Sequence, residues 1–170
     1  MEPIFFNSTF VMFGQLLLAV VLGMILGTER SVFANKKAGT RTYALVALGA
    51  CLFSIVSLQV TTNYLGLVSF DPMRVVAGII TGIGFLGAGI IIFKENSLEG
   101  LTTAAGLWVS AGIGVAVAYS LYAIAIFTTV LTLIVFTVLW GLESRLDSYL
   151  DERSRLKLVK NSQKGETLRD

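Results

Sequence analysis

The sequence predicts an all-α, polytopic transmembrane helical bundle of about five spans, with the N-terminus outside and the C-terminus in the cytoplasm. Composition is the first reason. Of 170 residues, 55% are hydrophobic and 14% charged, and the mean hydropathy is +0.79. An average soluble domain is about one quarter charged. The second reason is segmentation. Five apolar stretches, 10–27, 42–60, 75–93, 101–119 and 121–140, approach the ~20 residues that cross ~30 Å of hydrocarbon. Stretches four and five are separated only by Tyr119-Ser120, and together are too long for one crossing. The third reason is charge sorting. Arg30, Lys36, Lys37, Arg41, Lys94 and the seven basic residues after stretch five fall on one side, and only Arg74 on the other. The positive-inside rule assigns the crowded side to the cytoplasm. Residues 1–140 then form the membrane domain and 141–170 a short cytoplasmic amphipathic tail.

Composition also excludes chemistry. The chain has no histidine and one cysteine, so the commonest general base and the usual zinc sets are missing. Neither a metal site, nor a cofactor, nor an enzymatic activity is expected. Residues 1–9 lack Lys and Arg, so no cleavable signal is expected.

Span one ends in Leu-Gly-Thr-Glu29-Arg30, and span two opens with Arg41-Thr42 after a loop of about a dozen residues. Both ends therefore face the same layer. Glu29 is a carboxylate among basic residues, and a pair with Arg41 or Arg30 is expected. Ionisable groups at span ends that find partners are candidates for a substrate or proton path. Lys36 and Lys37 read as topology anchors on lipid phosphates.

Span three opens with Asp71-Pro72, where Asp71 suits an N-cap and Pro72 a helix start. Arg74 follows, either snorkelling to headgroups, pairing with Asp71 or lining an outer vestibule. The span then reads Gly82-Ile-Gly84-Phe-Leu-Gly87-Ala-Gly89. Gly82, Gly84 and Gly87 match G-x-G-x-x-G, but that fingerprint needs a preceding strand and a soluble βαβ unit. An uncharged run from Val75 to Phe93 supplies neither. In lipid, small residues let helix backbones approach.

Span four carries a small-residue ladder, Thr102, Gly106, Ser110, Gly114 and Ala118, which predicts one close-packed face. Gly78, Gly82 and Gly89 of span three are the expected partner face. Thr102 and Thr103 start this helix beside Asn96, Ser97 and Glu99, where free amides attract anions. Trp108 falls in mid-span, and its indole N–H is expected to find an acceptor inside the bundle. Sliding the chain by 61 residues superposes Gly23 on Gly84, Asn35 on Asn96, Gly39 on Gly100 and Thr42 on Thr103. Two parallel repeats would place a site between them. In the tail, Leu142, Leu146, Tyr149, Arg153 and Leu156 form one helical stripe.

The ordered motifs are Gly-x-x-x-Gly-Thr-Glu-Arg, Ala-Gly-Thr-Arg-Thr-Tyr-Ala-Leu-Val-Ala-Leu-Gly-Ala, Asp-Pro-x-Arg, Gly-Ile-Gly-Phe-Leu-Gly-Ala-Gly and Glu-Gly-Leu-Thr-Thr-Ala-Ala-Gly-Leu-Trp. Across residues 14–145 they resemble the bacterial MgtC/SapB family of inner-membrane proteins. The resemblance implies a multi-pass inner-membrane protein linked to magnesium limitation, stress adaptation and, in pathogens, virulence. Carried over by motif, its functional positions are Glu29, Arg30, Arg41, Thr42, Arg74, Thr102 and Thr103. Many members have asparagine where this chain has Thr102, a cysteine where it has Val109, and a soluble domain after span five that is not seen here.

Two functions are expected. The first is a non-enzymatic regulator of another membrane complex. The alternative is a small transporter or channel for Mg²⁺, another ion or a small solute. Against a Mg²⁺ path, no carboxylate lies well inside a span. The expected partners are the lipid bilayer and either a second copy or another membrane protein, with no nucleic acid.

Overall fold

The computed structural model describes residues 3–32, 39–63, 71–94, 97–139 and 141. In chain order the elements are α1 (Pro3–Val32), α2 (Thr40–Asn63), α3 (Pro72–Ile90), β1 (Ile92–Lys94), β2 (Ser97–Glu99), α4 (Leu101–Ala118) and α5 (Tyr122–Ile134), which runs into a π-helical segment at Val135–Leu139. Residues Met1–Leu133 form one compact unit and Ile134–Asp170 a second. The expected tail stripe, Leu142 to Leu156, lies outside the described residues, as do Lys36 and Lys37.

Four helices are long and apolar enough to cross a membrane, over Thr9–Val32, Thr40–Thr62, Pro72–Ile90 and Leu101–Ala118, and a shorter apolar helix covers Tyr122–Val138. The chain is a multi-pass membrane helical bundle.

Local chemistry sets several boundaries. Asp71 caps α3, its carboxylate accepting from the Met73 amide at 2.9 Å, with Pro72 in the first turn. Between α4 and α5 the chain turns at Tyr119-Ser120, where Ser120 has φ 60°. The Leu121 amide bonds to Ala116 O at 2.9 Å there, the pattern of a left-handed helix cap. Span three departs from expectation. Its helix stops at Ile90, and Ile92–Lys94 pairs antiparallel with Ser97–Glu99. β-branched and aromatic residues favour the strand. Gly100, at φ 94°, returns the chain over Ile90 O, where a Cβ would clash. Only glycine adopts that conformation cheaply.

The interior lies between α1, α2 and α4, each of which packs on the other two. α1 turns Ala19, Leu22, Gly23 and Leu26 inward. α2 buries Tyr43, Ala47, Ala50, Ser54 and Ser57, a stripe at helical spacing. α4 meets it with Leu107, Ser110, Ala111, Gly114 and Val117. α3 lies to one side, packed on α4 and α2 around Ile83, Ala50 and Ala111.

The ladder on α4 is thus close-packed from Gly106 to Ala118, but Thr102 is exposed and Thr103 is buried in its place. Its partner is α2, not the glycine face of α3. A Cβ on Gly114 would strike the Ala47 carbonyl, whereas one on Gly78, Gly82, Gly84 or Gly89 would meet nothing within 4 Å. Within the α3 string only Gly87 has a neighbour, with Ala104 Cβ at 3.4 Å from its Cβ position. The 61-residue offset holds for the helix starts, Thr40 and Leu101, but not for packing. A Cβ on Gly23 would lie 2.7 Å from Tyr43 O, while its counterpart Gly84 is open.

Candidate functional site

At the end of the bundle where α1 finishes and α2 and α4 begin, four polar side chains are buried together in an apolar protein. Glu29 and Arg30, in the last turn of α1, are 7% and 6% exposed. A cation there suits the negative end of the helix dipole. Arg30 Nη2 donates to Thr103 Oγ1 at 3.2 Å, across to the first turn of α4. The Tyr43 hydroxyl donates to Thr103 O at 3.2 Å. Two turns further along α4, Ser110 Oγ donates to Tyr43 O at 2.9 Å. Thr103 is therefore the meeting point of all three helices. The close approach that allows this comes from Gly23, over which the Tyr43 carbonyl lies.

Glu29 is the cluster's unusual member. Its Oε2 is buried, and among the described residues nothing donates to it. The neighbouring Arg30 charge acts on it favourably. Burying a carboxylate is costly without such a cation. Chemically the cluster offers a buried acceptor beside a guanidinium anchored to α4, an arrangement that can hold a proton or a polar ligand at the helix ends.

The other expected residues are placed differently. Arg41 is exposed, and among the described residues it forms no ion pair with Glu29, whose neighbouring cation is Arg30. Arg41 points away because it precedes the buried turn of α2 that starts at Tyr43. It lines an open groove with Thr42. Arg74 is exposed at the opposite end, and its backbone amide bonds to Asp71 O at 3.1 Å. Trp108 is 53% exposed and lines a shallow pocket with Val76, Ile79, Ile80 and Gly112. Among the described residues the expected interior acceptor is not there, since α4 turns its Leu107–Ala111–Gly114 side inward and position 108 outward.

Two polar residues went unnoticed in the sequence. Gln15 is buried, and its Nε2 donates to Val117 O at 3.1 Å, Ala118 O at 3.2 Å and Ser120 Oγ at 3.1 Å. It closes the C-terminal carbonyls that α4 cannot satisfy itself. One amide in an otherwise apolar stretch was the available signal. Tyr43 is fully buried, and it follows the Thr-Arg-Thr motif directly. In the turn beyond α4, burial and then the Asp71 charge push the Tyr119 phenol above the ordinary tyrosine value.

Comparison with known proteins bears on the same region. The family model described as "MgtC family" matches residues 16–145. A relative from Haemophilus influenzae is 43% identical over 128 residues, covering 73% of this chain and 53% of its own length. YhiD of Escherichia coli K12, which carries the provisional name of a magnesium transporter, is 40% identical over 134 residues, 78% of this chain and 62% of its own. Protein MgtC of Salmonella typhimurium is 46% identical over 101 residues, 59% of this chain and 40% of its own. The chain spans about half the length of the curated relatives it matches. No solved structure matches it. With four long apolar helices and these relatives, the protein is a multi-pass protein of the bacterial inner membrane. The ordered motifs and the matched span of 16–145 agree, and the chain belongs to the MgtC family.

Proposed function

We propose that this protein is a non-enzymatic regulator in adaptation to magnesium limitation, acting by docking one face of α3 on a helix of another membrane protein or of a second copy. The observation that carries this reading is the outward face of α3. Ala77, Thr81, Gly84 and Ala88, at helical spacing on one side, are all exposed. The Thr81 hydroxyl bonds back to Ala77 O at 3.0 Å, so the strip presents no unsatisfied donor. In lipid an exposed leucine costs nothing, whereas a flat strip of small residues favours the close approach of another helix. The packed polar groups support the same reading. Gln15, Tyr43 and Ser110 are committed to backbone carbonyls that hold the bundle together. The link to magnesium rests on family membership and on the name of YhiD.

A second reading, a transporter or channel for Mg²⁺, another ion or a small solute, is favoured by the buried free acceptor on Glu29. Complementation separates the two. In a bacterium lacking its own family member, the wild-type chain restores growth at limiting Mg²⁺. Gly84→Leu, made in equal amount and melting at the wild-type temperature, does not. Full rescue by Gly84→Leu would sink the docking reading.

A further inference from the structure

An open groove of about 770 Å³ runs between α2 and α3. Its walls are Leu45, Gly49 and Phe53 on one side and Gly78, Gly82 and Leu86 on the other. Gly49, Gly78 and Gly82 give it depth, because a Cβ at any of them would meet nothing within 4 Å. The groove is apolar except at one end, where Arg41 and Thr42 line it. The same two residues line a polar cup of about 290 Å³ with Ser31, Gly39 and Thr40. Groove and cup therefore form one amphiphilic cleft. Arg41 is exposed, and among the described residues its guanidinium has no anionic partner.

We propose that this cleft holds one phospholipid with an anionic headgroup, its phosphate at Arg41 and the hydroxyls of Thr40 and Thr42, and an acyl chain along the glycine-floored groove. Length supports it. From Arg41 to Phe53 the α2 wall rises about 18 Å at 1.5 Å per residue. One leaflet of a ~30 Å hydrocarbon core is about 15 Å deep. Charge supports it as well. A cation at the mouth of an apolar cleft between membrane helices complements a lipid phosphate, and the positive end of the α2 dipole adds to its field. A transmembrane helix seated in the groove would leave both the guanidinium and the cup unanswered. The inference does not rest on the docking strip, because Gly78 and Gly82 line the groove and Gly84 does not.

Native mass spectrometry of the purified, delipidated full chain tests it, with palmitoyl-oleoyl phosphatidylglycerol and phosphatidylcholine as probes. One phosphatidylglycerol per chain is expected, held about fivefold more tightly than phosphatidylcholine, as one membrane-surface cation is worth. Arg41→Gln is expected to abolish the preference while one lipid of either kind stays bound per chain. Gly78→Leu, or Gly49→Leu on the other wall, is expected to expel both lipids while melting like the wild type. Equal retention of the two lipids, indifferent to Arg41→Gln, would overturn the headgroup assignment. Displacement by inorganic phosphate alone would make the cup a free-anion site and overturn the lipid. A dimer that excludes lipid and is lost in Gly78→Leu would give the groove to a second copy instead.

Discussion

Individual glycines in this protein do different work, and their neighbours decide which. Gly114 sits against the Ala47 carbonyl, whereas Gly78 faces an open groove. Gly114→Ala forces α2 and α4 apart, and overpacking of this kind costs about 1–3 kcal/mol. Gly78→Ala costs none of that. Melting in one detergent reads the difference as a lowered midpoint for the first variant only. The sequence signalled a small-residue ladder on α4 correctly from Gly106 onward. It assigned the wrong partner, because spacing says that a backbone can come close and not which backbone does. Thr103 shows the same limit. Its hydroxyl and carbonyl join three helices, yet in sequence it is indistinguishable from exposed Thr102.

Among the elements, α4 depends on a residue from α1. Gln15 Nε2 reaches two carbonyls of the C-terminal turn of α4, Val117 O and Ala118 O, and the Ser120 hydroxyl just beyond it. Interhelical hydrogen bonds in membranes average about 0.6 kcal/mol. Gln15→Ala is therefore expected to destabilise by on the order of 1–2 kcal/mol, measured by unfolding in mixed micelles with α4 hydrogen exchange as the local readout. An unchanged α4 exchange rate would remove the capping role. Helix boundaries with a local cause were legible: the Asp71-Pro72 start of α3 and the Tyr119-Ser120 break before α5. The β1–β2 hairpin was not, since Ile92 and Phe93 extend an apolar run that reads equally as helix. The inward side of α4 was likewise hidden in a helix apolar all round, so Trp108 was expected inside and lies outside.

For the whole molecule, five apolar segments and sorted charge were enough to give the bundle, because hydrocarbon thickness and backbone satisfaction leave few alternatives. Side chains joining the helix ends agree with the alternation. Arg30 reaches Thr103 at one end, and the Arg74 amide lies at the other. We infer from the charge sorting that the Arg30 end faces the cytoplasm. In intact spheroplasts, a membrane-impermeant thiol reagent is expected to label Arg74→Cys directly and Arg41→Cys only after permeabilisation. Native Cys51 is buried and gives little background. Reversed labelling would invert the topology.

We infer that this protein acts through contact with another membrane helix and not through a conduction path. Mg²⁺ uptake into proteoliposomes, with Glu29→Gln alongside, tests that most directly. Uptake no faster than in empty liposomes is expected for either protein. Uptake by the wild type that Glu29→Gln abolishes would contradict it and make the buried carboxylate part of a transport path.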